Sequence, residues 1–381
     1  MFLSSLRWRG RWTSYLTPFE GEQYSNVDRL ALEPHLWGEL PRPCHRVEAG
    51  DEDRLHRSLL EARMAGLASE EMLLSGRNGK PIVGGFFAVP KPPKPDKLKR
   101  QRLIFDRRPQ NQTERRLPWV SLPHACLFRR AVLGRHMCMR GFGKDLSNFY
   151  FFVRHHSTWW GRSAVGRRVR RKTAKDYEKS WVLDPPHWSH EKRRRTQWRM
   201  VMLIAGMGDR NTSDVATRIH ENVLDFAGLF PESERLSYKK LVPKGRVWTG
   251  IYIDDWLCVY FCRRSEIRQP GPDTTRDCDT SARYLQAGLA EETSEAFHPN
   301  LNFRAWGALV EGGRGRVGAP PEVRLQIFRV TVAVISIGWS NKRNLQQLLG
   351  LYASCFVFRR EFFSIFHHVF FFFTSELPDG T

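Results

Sequence analysis

WTGIYIDDWLCVYF (248–261) places two adjacent carboxylates, Asp254 and Asp255, in the middle of an otherwise apolar, partly alternating run. The pattern predicts two strands joined by a tight turn around Asp254. Adjacent acids inside an apolar strand pair are costly unless a metal or other cation compensates them. At a hairpin tip the backbone presents both carboxylates at one edge. They suit chemistry that uses two divalent ions, provided a third carboxylate arrives from a neighbouring strand. A Tyr-x-Asp-Asp string alone recurs by chance in about one of several tens of chains this long, so its company decides the reading.

Length and composition set the bounds. The 381 residues suffice for two or three subdomains and a sizeable core, and 41% hydrophobic content is too high for a wholly disordered chain. Lys and Arg number 61 against 40 Asp and Glu, a formal charge of +21. Such an excess repels itself in a compact state, which points to a polyanionic partner. Seven cysteines, at 44, 126, 138, 258, 262, 278 and 355, form no CxxC pair. They read as reduced thiols, with neither a zinc ribbon nor a disulfide framework. The opening MFLSSLRWRGRW (1–12) lacks a secretory pattern, and the aromatic FFSIFHHVFFFF (362–373) is too short for a membrane span. These features predict an intracellular protein, nuclear or cytoplasmic, with no membrane partner. The aromatic end reads as a buried or aggregation-prone segment.

Along the chain, apolar spacing predicts a helix over roughly Glu52 to Leu74. Strands are predicted at Ile82 to Val89, Arg102 to Phe105 and Leu146 to Val153. Between the first two, PKPPKPDKLKRQR (90–102) reads as an exposed basic loop. Residues 155–200 form a basic insert in which GRRVRRK (166–172) and EKRRR (191–195) alternate with Trp159, Trp160, Trp181, Trp188 and Trp198. Aromatics interleaved with cations suggest a nucleic-acid surface there. Further helices are expected at 212–229, about Ser281 to Phe297, and Leu345 to Phe356. A strand is expected at Leu301 to Val310, while Val330 to Ile337 fits either state.

The order of the blocks from Phe86 to Arg360 resembles the reverse transcriptases, RNA-directed DNA polymerases, of retrotransposable elements. FFAVPK (86–91) looks like the fingers strand, and RLIFDRRPQN (102–111) follows the family's Arg…Asp-x-Arg-x-x-Asn pattern. KDLSNFYFF (144–152) resembles the first catalytic motif, and GDRNTSDVATRIHENVL (208–224) the glycine-led motif and its helix. NFRAWGALVEGGRGRVGAP (302–320) looks like the primer-gripping strand and turn, and LQQLLGLYASCFVFRREF (345–362) like the helical region after it. The resemblance implies that Asp145, Asp254 and Asp255 are the catalytic carboxylates and hold two Mg2+ ions, with Mn2+ as a substitute. It implies that Arg102, Tyr150, Met207 and Gly208 form the nucleotide pocket. Arg102 contacts the triphosphate, helped by Lys91 and Lys99, and Tyr150 excludes a ribose 2′-OH. Lys91, Asp106, Arg108, Asn111, Tyr252, Trp306 and Gly307 fall to the template and primer. The implied partners are an RNA or DNA template with its primer, and deoxynucleoside triphosphates.

The implied fold is α/β (α+β), a right-hand polymerase with fingers, an antiparallel palm sheet and a partial helical thumb. Residues 1–75 are an extension without assigned role, 76–300 fingers and palm, and 301–381 primer grip, thumb-like and degenerate C-terminal segment. Three departures stand out. Met207 replaces the family's Gln, no lysine occurs in 256–300 where a proton donor is common near Glu295, and the Phe-rich end is unlike a working thumb. They motivate a second reading, a catalytically impaired or domesticated nucleic-acid-binding remnant. An RNA-dependent RNA polymerase shares the carboxylates, but Tyr150 speaks against it. His155-His156 and His367-His368 lack ligand partners at metal spacing. Asp273, Asp277 and Asp279 read as solvated loop acids, and Cys258 and Cys262 as packed thiols.

Overall fold

The computed structural model describes residues 15–91, 101–185, 187–294 and 296–374; Lys99 and Glu295 lie outside them. The fold mixes helices with predominantly antiparallel sheets. The chain divides into two compact units. One comprises the residues up to Val120, Leu146–Phe226 and Ala287–Leu289; the other comprises Ser121–Asp145, Ala227–Gln286 and the residues from Ala290 on.

The first unit is built on a four-stranded sheet in the order Ala164–Arg168, Trp198–Met202, Ala65–Ser69, Trp181–Leu183. Its pairs are antiparallel except the last, where Leu67 faces Trp181 in a parallel register. Helix Ala49–Glu61 buries Leu59 and Leu60 in the unit's core. The expected helix to Leu74 is cut short here. The backbone turns at Arg63 (φ 54°) and continues as the fully buried strand AGLAS. A short run buried on both faces carries no helical or strand period, which is why spacing misreads it.

The tryptophans of the basic insert serve this core rather than an open surface. Trp159, Trp188 and Trp198 are buried, and Trp181 stacks on Trp198 with centroids 4.6 Å apart. Arg168, Arg171, Lys172 and Lys175 are exposed, and Arg168 donates to both carboxylate oxygens of Glu70 (2.8 and 2.9 Å).

A buried polar network also sits in this unit. Arg107, almost fully enclosed, pairs with Asp209 and with Glu114 (2.9 Å). His155 Nδ1 lies 2.6 Å from the Tyr24 hydroxyl, and its Nε2 lies 3.5 Å from Asp209. Burial, aided by the Arg107 charge, pushes the imidazole down to about 3. His155 therefore stays neutral in the fold at pH values where the unfolded chain takes up a proton. Its contribution is complete above about pH 6.5 and is lost as the pH falls from there toward 3. Urea titrations are expected to show wild type losing up to about 1.4 kcal/mol per pH unit below 6.5 relative to His155→Gln. Parallel pH profiles for the two proteins would contradict the assignment.

The second unit carries an antiparallel sheet in the order Phe297–Asn300, Met137–Asp145, Asp255–Arg263, Val247–Tyr252. Strand Met137–Asp145 ends where a strand was expected to begin, and Leu146 to Val153 is not extended. Asn148 adopts a left-handed conformation (φ 56°) and leads into the single helical turn Phe149–Phe152. The aromatic content of NFYFF mimics a strand, but the turn at Asn148 decides otherwise.

RGFGKD (140–145) shows the period of two that a central strand requires. Gly141 and Gly143 lie on one face, where the stacked rings of Phe303 and Phe297 close over them. A Cβ at Gly143 would collide with a Phe297 ring carbon. Arg140 and Lys144 lie on the other face and meet helix Pro272–Ala287. Cys258 and Cys262 are packed thiols, as expected, and Cys262 Sγ sits 3.5 Å from Cys138 Sγ across the strand pair. Burial, together with that contact, pushes the Cys262 thiol up to about 12.

Helices Pro321–Ile337 and Lys342–Phe356 pack together, with the Thr331 and Tyr352 hydroxyls 2.8 Å apart. The aromatic end folds on itself around Phe356, which meets Phe362, Phe363 and Phe366. It is not buried, since Phe362 and Phe370 remain exposed. No helix among the described residues is long and apolar enough to cross a membrane.

Candidate active site

The hairpin Val247–Tyr252/Asp255–Arg263 closes with Tyr252 opposite Asp255, leaving a two-residue turn of Ile253 and Asp254. Only the first turn residue has a positive φ, 64° at Ile253, a conformation that normally calls for glycine. For a β-branched residue it is a strained one, at a cost of about 1–3 kcal/mol. The turn aims Asp254 to the same edge as Asp255. Replacing Ile253 by glycine is expected to raise stability by about 1 kcal/mol, the strain relieved less the added freedom of the unfolded chain. A lowered urea midpoint would show that the isoleucine side chain outweighs its backbone.

Asp145, last residue of its strand, stands directly opposite Asp255 in the register. Like charges facing each other across an antiparallel pair destabilise it. Here three of them gather: one carboxylate oxygen from each of Asp145, Asp254 and Asp255 lies within 4.8 Å of the others, and all three residues are partly exposed. Among the described residues no other group of three or more His, Cys, Asp or Glu gathers in this way. The donors are hard oxygens without nitrogen or sulfur, the set preferred by Mg2+ or Mn2+. The cluster could hold a divalent ion of this kind.

The chain is similar to solved structures of a reverse transcriptase. One, a foamy viral protease-reverse transcriptase dRH in complex with double-stranded DNA, is 15% identical, with a TM-score of 0.47. The match covers 90% of this chain and 51% of that one. The foamy viral protease-reverse transcriptase in complex with an RNA/DNA hybrid matches at 14% identity and a TM-score of 0.45, over 90% and 39% of the two chains. The same protein with double-stranded DNA matches at 14% and 0.46, over 90% and 61%. The chain thus spans between 39% and 61% of the length of these proteins. No family model matches it, and no curated protein is similar to it.

Beside the carboxylates lies a cavity of about 320 Å³ lined by Gly143, Asp145, Asp255, Asn300, Arg304 and Trp306. Trp306 and Gly307 make the two-residue turn between strands Asn302–Ala305 and Ala308–Glu311, both with positive φ (48° and 81°). The Trp306 ring stacks on Phe128 (5.7 Å) and passes so close to Gly250 that a Cβ there would meet it. Gly250 therefore lets the Trp306 turn rest on the carboxylate hairpin. Tyr252, on that hairpin, is exposed.

The remaining residues singled out from sequence lie in the first unit. Arg102 is exposed on strand Gln101–Asp106, paired with Val89 of strand Gly85–Pro90, and Lys91 follows that strand, also exposed. Asp106 is buried and accepts bonds from the Arg108 guanidinium (2.7 Å) and the Cys44 amide (2.5 Å). Burial opposes its ionisation, but these bonds outweigh it and hold the carboxyl below its usual range. Asp106 and Arg108 are thus joined as an ion pair.

Asn111 donates to the Gly208 carbonyl (2.7 Å) and accepts from the Arg210 amide (3.0 Å). The Met207 carbonyl accepts from the Phe105 amide. Gly208 has φ 109°, and any Cβ there would strike the Phe105 carbonyl. Tyr150 is half-buried on the turn Phe149–Phe152.

Four further residues bear on Asp145 and went unrecognised in the sequence. The Arg140 guanidinium donates to both carboxylate oxygens of Asp273 (2.7 Å each) and to the carbonyls of Ile267 and Gln269. Lys144, adjacent to Asp145, reaches Asp277 (2.8 Å), Ser281 (2.7 Å) and Glu291 (3.3 Å). Asp273 and Asp277 are not solvated loop acids. They lie four apart on one face of helix Pro272–Ala287, matching Arg140 and Lys144, four apart on one face of the strand. Together the two pairs pin the strand that carries Asp145.

Proposed function

We propose that this chain is an RNA-directed DNA polymerase of retroelement origin that extends a primer with deoxynucleotides. The observation that carries the reading is the meeting of Asp145 with Asp254 and Asp255, from strands more than a hundred residues apart, at one sheet edge. Asp145, Asp254 and Asp255 would hold two Mg2+ ions, which when bound activate the attacking 3′ oxygen and neutralise the triphosphate. Trp306 and Gly307, resting on Gly250, hold the primer beside those carboxylates, with Tyr252 on the same hairpin. Arg102 binds the triphosphate, and Tyr150 leaves no room for a 2′-OH. Met207 and Gly208 line the nucleotide pocket, while Lys91, Arg108 and Asn111 serve the template side. Asp106 orients Arg108 through their ion pair. The working surroundings are intracellular, and the layout is that of a right-hand polymerase.

The test is primer extension on poly(rA) with oligo(dT) and dTTP. Magnesium-dependent incorporation is expected, with dTTP strongly preferred over UTP and that preference weakened by Tyr150→Ala. Well-folded protein that incorporates nothing would overturn the reading. It would favour the nucleic-acid-binding remnant instead, which Met207 and the absence of lysine in 256–300 support.

A further inference from the structure

We infer that the basic insert of the first unit carries a second nucleic-acid site, a cavity that takes one unpaired nucleotide of a single strand. This goes beyond the polymerase reading and does not rest on it. The cavity measures about 470 Å³, within the range of small-molecule sites. Its apolar wall is the stacked pair Trp181 and Trp198, and its rim carries Arg168, Arg171, Lys172 and Lys175.

Two features make this a prepared site rather than a charged face. First, both indoles are fixed: Trp181 donates its N–H to the Ala174 carbonyl (3.1 Å) and Trp198 to the Arg193 carbonyl (3.1 Å). With their polar tips engaged, the rings offer only carbon to an occupant, and Trp181 remains partly exposed to receive one. Second, the cations are unevenly committed. Arg168 is held by Glu70 (2.8 and 2.9 Å), whereas Arg171, Lys172 and Lys175 are exposed and enter no ion pair among the described residues.

A flat apolar wall beside three uncommitted cations matches a nucleotide, a planar base joined to phosphates. A base laid face-on against the Trp181 ring has left the stack of a duplex, so the occupant comes from a single strand.

The test irradiates the full chain with a decamer carrying 5-bromodeoxyuridine and maps the crosslinked peptide. Crosslinking is expected at Trp181, unchanged in Asp254→Ala. It should be competed by unlabelled single strand, and neither by duplex nor by dTTP at equal nucleotide concentration. Arg171→Glu with Lys172→Glu, both on the surface, are expected to weaken decamer binding at least tenfold and to flatten its salt dependence by about one to two phosphate equivalents. Trp181→Ala should weaken it by roughly five- to a hundredfold, and Trp181→Phe, which keeps a ring in the core, by less. Crosslinks confined to other peptides, or decamer affinity unmoved by charge reversal, would overturn the site. Displacement by dTTP would overturn the single-strand assignment and make it a free-nucleotide site.

Discussion

Asp254→Ala is expected to lower magnesium-dependent primer extension by about three orders of magnitude or more while leaving template–primer binding nearly unchanged. The size follows from the chemistry: a metal-held charge contributes several kcal/mol to the transition state, and each 1.36 kcal/mol is a factor of ten in rate. Binding should survive because affinity for a polyanion would draw on a chain of formal charge +21, which losing one acid only makes more positive. Removing Asp254 also relieves repulsion among three carboxylates within 4.8 Å of one another. The variant should therefore be at least as stable as wild type in urea. Synthesis lost without loss of stability is the signature of a functional carboxylate. Lost stability with retained synthesis would mark a structural one. Asp145→Asn should behave in the same way, since its amide keeps the shape and removes the charge.

The second large effect concerns the pairs behind the site. Asp273→Asn or Arg140→Met alone should destabilise the chain by about 3–5 kcal/mol, because each leaves a buried charge without its partner. The double replacement Arg140→Met with Asp273→Leu should recover most of that loss, since two apolar groups need no partner. Synthesis tells position from mere stability. If Arg140 and Lys144 fix Asp145 in place, the recovered double variant should still lose kcat more than it loses template affinity. Urea midpoints for the three variants, followed by primer extension on the recovered one, separate the two contributions. Equal stabilities for the single and double variants would contradict a buried, mutually dependent pair.

Much of the site could be read from sequence because it obeys simple periods. The carboxylate hairpin alternates around a central turn, and the strands at Val247–Tyr252 and Asp255–Arg263 lie close to where that alternation puts them. Asp145 came from resemblance rather than spacing, and the strand was placed on its wrong side. NFYFF looked extended because aromatics favour strands, whereas the real strand, MCMRGFGKD, carries two glycines and three charged residues that disfavour one. Those glycines are there because Phe297 and Phe303 occupy the space of their side chains, a tertiary fact that no local pattern contains.

The helix expected from about Ser281 was likewise displaced to Pro272–Ala287. Its signals were present, a proline at the start and Gly288 with φ 70° just past the end. Reading Pro270, Gly271 and Pro272 as loop turned Asp273 and Asp277 into solvated acids. In the insert, tryptophans between arginines suggested an open surface. Most of them instead fill the first unit's core, and only the wall formed by Trp181 and Trp198 meets a cavity. Composition alone does not say which side of a sheet a ring takes.

Divalent ions held by Asp145, Asp254 and Asp255 are the heart of the proposed chemistry, and a Mn2+ titration followed by electron paramagnetic resonance reads them without turnover. Saturable Mn2+ binding by the wild-type chain is expected, strengthened by a primed template with dNTP, and lost in both Asp145→Asn and Asp254→Asn with the fold intact. Mn2+ binding that is unchanged in those variants would place the ions elsewhere and contradict the reading of this centre.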